Sequence, residues 1–257
     1  FTSEQSMASH AAPEGERRDT FAALRVRDFR VLIIGRMIAQ VGEQSVTVAV
    51  SWELYKRTND PLALGLVGLA QIIPVLLLSL PGGYVADRYN RKWVTLISQV
   101  VLIVCALLLA IISITEGSLP VLYGLLAVIG AARAFNNPAE GALTPQLVPK
   151  ALYFNAMTWN SSVWQTSAII GPAIGAGIMA ITGHAYSVYL FNAIAGAILV
   201  TALLMIKTPP VMYNPNEEKP IDAVRNGWRF VRKTPVVLAA IALDMFAVLL
   251  GVATALL

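Results

Sequence analysis

Hydrophobic residues in this chain come in long blocks and do not alternate with polar ones. A membrane-spanning helix needs roughly 20 mostly apolar residues. Six blocks of that kind lie at 30–54, 62–86, 93–115, 120–144, 156–182 and 187–206. A seventh begins near Val236 and runs to Leu257 without a polar flank. The pattern predicts an all-α polytopic membrane protein in four parts: a polar tail over 1–28, a six-helix bundle over 29–206, a connection over 207–235 and a further helix over 236–257.

The connections carry the charge. Residues 55–61 contain Lys56, Asn59, Asp60 and Pro61, and 87–92 read Asp-Arg-Tyr-Asn-Arg-Lys. The connections at 116–119 and 183–186 are short and hold no Lys or Arg. Within 207–235, the spacing of Ile221, Val224, Trp228 and Val231 predicts a short amphipathic helix on the membrane surface. Of the 19 Lys and Arg residues, fifteen fall on the tail and on alternate connections that share its side; Lys56 and Arg57 fall on the other side. Lys and Arg accumulate on cytoplasmic loops, so the N-terminus is expected inside.

The remaining two cations, Arg36 and Arg133, lie within apolar blocks. A charge at a helix centre costs at least about 2.5 kcal/mol on insertion scales, and it persists where it faces protein or water. In the first block Arg36, Gln40, Glu43, Gln44, Thr47 and Ser51 step by three or four residues. That spacing places them on an arc of about 100°. Arg133, Asn136, Asn137, Glu140 and Thr144 repeat the pattern in the fourth block, where Pro138 is expected to kink the helix or end it early. The fifth block offers Asn155, Thr158, Trp159, Ser162 and Thr166. The third and sixth are nearly apolar, apart from Ser98, Gln99, Ser113, Asn192 and Thr201, which suits helices on the outside of a bundle. Stripes of this kind line an aqueous cavity or join helices by hydrogen bonds. Glu43, about 20 Å above Arg30 along the helix, is the deepest acid and a candidate proton or substrate site. Asp244 is a further intramembrane acid in the seventh block.

Composition narrows the functions. Hydrophobic residues make up 56% of the chain and charged ones only 13%, about half of what soluble domains carry. The net charge of +4 forms no separate basic domain, so nucleic acid is not an expected partner. One cysteine, Cys105, and two separated histidines, His10 and His184, supply neither a disulfide nor a metal site. Neither histidine lies in an apolar block, and the sequence shows no constellation of an intramembrane enzyme. No cofactor is implied.

The connection after the second block reads Gly83-Tyr84-Val85-Ala86-Asp87-Arg88-Tyr89-Asn90-Arg91-Lys92. It resembles the G-x-L-A-D-R-x-G-R-R/K signature between helices 2 and 3 of major facilitator superfamily transporters. Val85 stands for Leu, and Asn90 stands for the second Gly as the next best residue for a left-handed turn. Gly83 is expected to allow close helix approach and Asp87 to accept from exposed backbone N–H groups at the helix end. The resemblance gives Gly83, Asp87, Arg88, Arg91 and Lys92 the role of a cytoplasmic gate. Gly171-Pro172-Ala173-Ile174-Gly175-Ala176 resembles the G-P-x-x-G-G motif of drug:proton antiporters, with Ala176 in place of the last Gly. Gly171, Pro172 and Gly175 then form a packing motif. Phe29-Arg30, Gly42-Glu43 and Gly227-Trp228-Arg229-Phe230 resemble the exporter branch that includes the enterobactin exporter and macrolide efflux proteins.

The resemblance covers 28–257. It implies a major facilitator fold, an N-terminal six-helix bundle plus the start of a second half whose remainder would be its partner. It also implies proton-driven export of amphiphilic small molecules (drug-, macrolide- or siderophore-like) across the cell (inner) membrane by alternating access. A facilitator or importer of lipid-like substrates, or a non-transporting receptor on the same fold, fits the same residues. Candidate cavity residues are Arg36, Gln40, Glu43, Arg133, Asn136, Asn137, Glu140, Trp159 and Asp244. The topology is testable in a Cys105→Ser background. A cysteine at Lys56 should react with a membrane-impermeant maleimide in intact cells, and one at Asn90 only after permeabilisation; the reverse result inverts the assignment.

Overall fold

The computed structural model describes residues 20–208. They form six long helices: α1 Arg27–Thr58, α2 Pro61–Arg88, α3 Arg91–Ile114, α4 Leu119–Leu143, α5 Tyr153–Thr182 and α6 Tyr186–Met205. Short 3₁₀ turns lie at Ala23–Arg25, Thr144–Leu147 and Lys150–Leu152, and the described residues contain no strand. Helices α2 to α6 are each long and apolar enough to cross a membrane. The more polar α1, with Arg36, Glu43 and Glu53 along its length, falls below that measure. The tail before residue 20, the amphipathic segment expected at 221–231, the seventh helix and Asp244 lie outside the described residues.

Local chemistry sets the turns, and the helices run further into the connections than the hydropathy pattern implies. After α1, Asn59 turns left-handed (φ 51°) and the Asp60 carboxylate caps Leu62 N–H at 2.9 Å, with Pro61 in the first turn of α2. After α5, Gly183 takes the left-handed position (φ 73°) that glycine adopts without strain. Two expectations for the turn at 87–92 are corrected. Asn90 is not left-handed; at φ −62° it is the N-cap of α3 and accepts Lys92 N–H at 3.0 Å. Asp87 caps no backbone group. It points outward, 70% exposed, 3.8 Å from Arg91.

The close approach expected at Gly83 occurs one residue earlier. A Cβ on Gly83 would meet nothing within 4 Å, whereas one on Gly82 would lie 2.1 Å from the Ala134 carbonyl oxygen. Pro138, four residues on, has no N–H to offer that carbonyl. Ala134 O is thus free to meet the Gly82 backbone, and such Cα–H···O contacts recur where helices touch. Helix α4 does not end at Pro138; it continues to Leu143 and then tightens into the 3₁₀ turn. A second contact of this kind joins Gly130 to Gln71 O, 2.2 Å from an added Cβ. Between α1 and α5, Gly171 and Gly175 press on Gln44 and Ser45, and the Ser45 hydroxyl donates to Gly171 O at 2.7 Å.

The principal packed pairs are α2 with α4, α1 with α5, α1 with α6, α3 with α6 and α3 with α4. Exchanging α1 with α4, α2 with α5 and α3 with α6 maps this set onto itself. Because successive helices alternate in direction, the two three-helix units are inverted repeats of one another. One apolar cluster fills the end holding Leu54, Leu109, Leu122 and Tyr189. A second fills the end holding Phe29, Leu32, Leu143 and Leu203. The polar stripes fall between them. The symmetry-related α2 and α5 are the least buried of the five apolar spans.

Adding a methyl group at Gly82 should lower stability by about 1–3 kcal/mol, because the obstruction is backbone. Gly83→Ala should stay within about 0.5 kcal/mol. Thermal unfolding in detergent distinguishes them.

Candidate functional site

Helices α1 and α4 are not among the closely packed pairs. Between them is a cavity of about 320 Å³ lined by Arg36, Gln40, Glu43, Gln44, Thr47, Arg133, Asn136, Asn137, Glu140 and Trp164. The stripes read from α1 and α4 thus face one shared space. Seven of the nine candidate cavity residues line it; Trp159 does not, and Asp244 lies outside the described residues.

Two ion pairs span the gap. Arg36 Nε lies 2.7 Å from Glu140 Oε1, a close pair without the alignment of a hydrogen bond. Arg133 lies 3.5 Å from Glu43 Oε2. Each helix carries an arginine followed by a glutamate seven residues later, Arg36 and Glu43 on α1, Arg133 and Glu140 on α4. Seven residues are about two turns, so both groups share a face. Antiparallel placement then sets each arginine opposite the other helix's acid. The inverted symmetry of the packing therefore reappears in the charges, and the four formal charges cancel.

Neighbours hold the pairs in place. The Arg36 guanidinium donates to Asn160 Oδ1 at 2.8 Å, and Asn160 donates to Thr144 at 3.1 Å. Arg133 donates to Gln71 Oε1 at 2.9 Å, and Asn136 donates to Glu140 Oε2 at 3.3 Å. Glu140 is the more enclosed acid, 7% exposed against 19% for Glu43.

The α5 stripe sits elsewhere than expected. Trp159 does not line the cavity. Its Nε1–H donates to Thr20 O at 3.0 Å and its ring meets Phe21 at 5.8 Å, while Asn155 donates to Thr20 O and accepts Ala23 N–H. These residues tie the segment before α1 to the start of α5. Thr158 and Ser162 return their hydroxyls to carbonyls of their own helix. The face toward α1 is one position further on and carries Asn160, Trp164, Ser167 and Gly171. Gln71, Asn160 and Trp164 lie outside the stripes expected from the sequence. Gln71 had a signal, as a lone amide in the apolar first half of α2, and so did the repeated seven-residue Arg-to-Glu spacing.

At the opposite end of α1, Glu53, 4% exposed, pairs with Arg57 and accepts the Tyr189 hydroxyl at 2.8 Å. Arg57 also donates to Gly117 O and Ile112 O, joining α1, α3 and α6 at that end. The gate-motif bases act as staples at the other end. Arg91 donates to Ala86 O and Ala142 O, and Lys92 donates to Ile206 O at 2.7 Å, so they serve carbonyls at the ends of α2, α4 and α6. Arg88 lies over the Tyr84 ring at 5.3 Å.

The family description "transmembrane secretion effector" of the major facilitator superfamily matches residues 18–257. The chain belongs to the major facilitator superfamily. Among its relatives are an uncharacterized MFS-type transporter, YfiS, of Bacillus subtilis (26% identical over 218 residues, 82% of this chain and 50% of the relative). The staphyloferrin A transporter of Staphylococcus aureus is 28% identical over 176 residues, 68% of this chain and 42% of that protein. The enterobactin exporter EntS of Escherichia coli is 27% identical over 215 residues, 81% and 50% of the two chains. This chain spans about half the length of these relatives. The superfamily and these relatives are transporters, not enzymes.

Arg36→Met alone strands Glu140 and should cost about 3–5 kcal/mol. Adding Glu140→Met should recover much of that loss, an interaction readable as non-additive shifts in detergent unfolding.

Proposed function

We propose that the whole protein is a proton-coupled secondary exporter of amphiphilic small molecules, working by alternating access in the cell membrane with its N-terminus inside. The observation that carries this reading is the α1–α4 cavity with its two crossed ion pairs. A proton on Glu43 or Glu140 removes the charge that holds the opposed arginine. It thereby loosens one bridge between two helices that otherwise scarcely touch. A substrate that competes for the same groups exchanges with the proton, and this competition is the physical content of coupling.

Export rests on the Gly171-Pro172 motif and on likeness to proteins named as exporters and efflux pumps. Amphiphilic cargo fits a cavity that combines charged and amide groups with the Trp164 ring. Asp87, Arg88 and Arg91 are assigned to the cytoplasmic gate by motif.

The test is substrate-driven proton movement in proteoliposomes holding the whole protein, with Glu43→Gln and Glu140→Gln beside wild type. Acidification or alkalinisation on adding a lipophilic substrate should be lost in at least one variant. Wild-type rates in both would reject proton coupling through this cavity.

A further inference from the structure

Gln99 and Asn192 stand out in helices that are otherwise nearly apolar, and the transport reading gives them no task. Both border a second, smaller cavity of about 20 Å³ behind the Glu43–Arg133 pair, whose remaining walls are apolar side chains of α1, α3 and α4. Gln99 is 3% exposed, and no protein group donates to its Oε1. Its Nε2 crosses the α3–α6 seam beside Gly196, 3.0 Å from where a Cβ would stand. Across the α1–α6 seam, Asn192 Oδ1 lies against Gly42, 2.9 Å from an added Cβ. Among the described residues Asn192 forms no side-chain hydrogen bond, and neither does Glu43 Oε1.

A buried amide oxygen without a donor costs stability, and such groups in folded proteins are met by protein or by water. A water molecule needs roughly 10–15 Å³ and two to four polar partners. This space supplies the volume and four polar side chains from four helices: Glu43, Gln99, Arg133 and Asn192.

We propose that this cavity is a binding site for a single structural water, held by Gln99 and Asn192 and reaching the Glu43–Arg133 pair from behind. The water donates to Gln99 Oε1 and to the Glu43 carboxylate, and it accepts from the Asn192 amide or Arg133. A sodium ion would fit the same volume and find the same oxygens. The Arg133 guanidinium in the wall opposes a second positive charge and selects the neutral ligand. The site stands independently of whether the protein is proton-coupled.

The test combines a structure of the whole protein in lipid, at a resolution showing ordered water, with a double-mutant cycle. One density peak within hydrogen-bond reach of Gln99 and Asn192 is expected. Gln99→Met and Asn192→Leu should each lower the unfolding temperature by about 2–4 °C. The double variant should fall no further than the worse single one, because either change expels the shared water. Additive losses, or no peak there while other buried waters are resolved, overturn the site. Unfolding temperature that rises with sodium at constant ionic strength, with choline as the replacement cation, overturns water in favour of a cation. If neither variant folds, the wild-type density decides alone.

Discussion

A guanidinium or carboxylate in the middle of a bilayer needs a partner, and here the partners of Arg36, Glu43, Arg133 and Glu140 come from the opposite helix. This requirement explains why α1 and α4 face each other without packing closely. The gap is bridged by long side chains, so the helices stay far enough apart to leave a cavity and close enough to neutralise four charges. The apolar clusters at the two ends of the bundle bear the packing that the middle gives up. Asn160, Gln71 and Asn136 then hold the charged groups in orientation.

Small residues set the remaining distances. Gly35 and Gly42 admit α6 to α1, Gly171 and Gly175 admit α1 to α5, and Gly82 and Gly130 admit α4 and α2 to each other's carbonyls. Lipid tails are as apolar as leucine, so such contacts replace the hydrophobic drive that would assemble a soluble bundle. The gate motif contributes in the same way: Arg91 and Lys92 spend their hydrogen bonds on helix-end carbonyls.

The first six helices and the polar stripes of α1 and α4 were legible in the sequence, because period and length carry that information directly. The stripe on α5 was not. Asn155 and Trp159 fall at the right spacing, but they are used by the segment at residues 20–23. Periodicity shows that a face is polar and not what meets it. Gly82 and Gly83 are likewise adjacent and alike in sequence, and only the neighbour across the seam, with a carbonyl released by Pro138, separates their roles. The pairing of Arg36 with Glu140 depends on antiparallel register between helices about a hundred residues apart. The repeated seven-residue spacing marks the groups, and the fold alone matches them.

The packing order also bears on how the bundle is made. Helix α1 rests mainly on α5 and α6, and α2 mainly on α4, while α1 and α2 touch each other little. A chain emerging from the ribosome delivers α1, α2 and α3 before any of their chief neighbours exists. The arginine and glutamate of α1 must therefore wait, unmatched, until α4 arrives. Assembly of this domain is thus a late and collective event, and the first helix is the one most exposed to loss during synthesis.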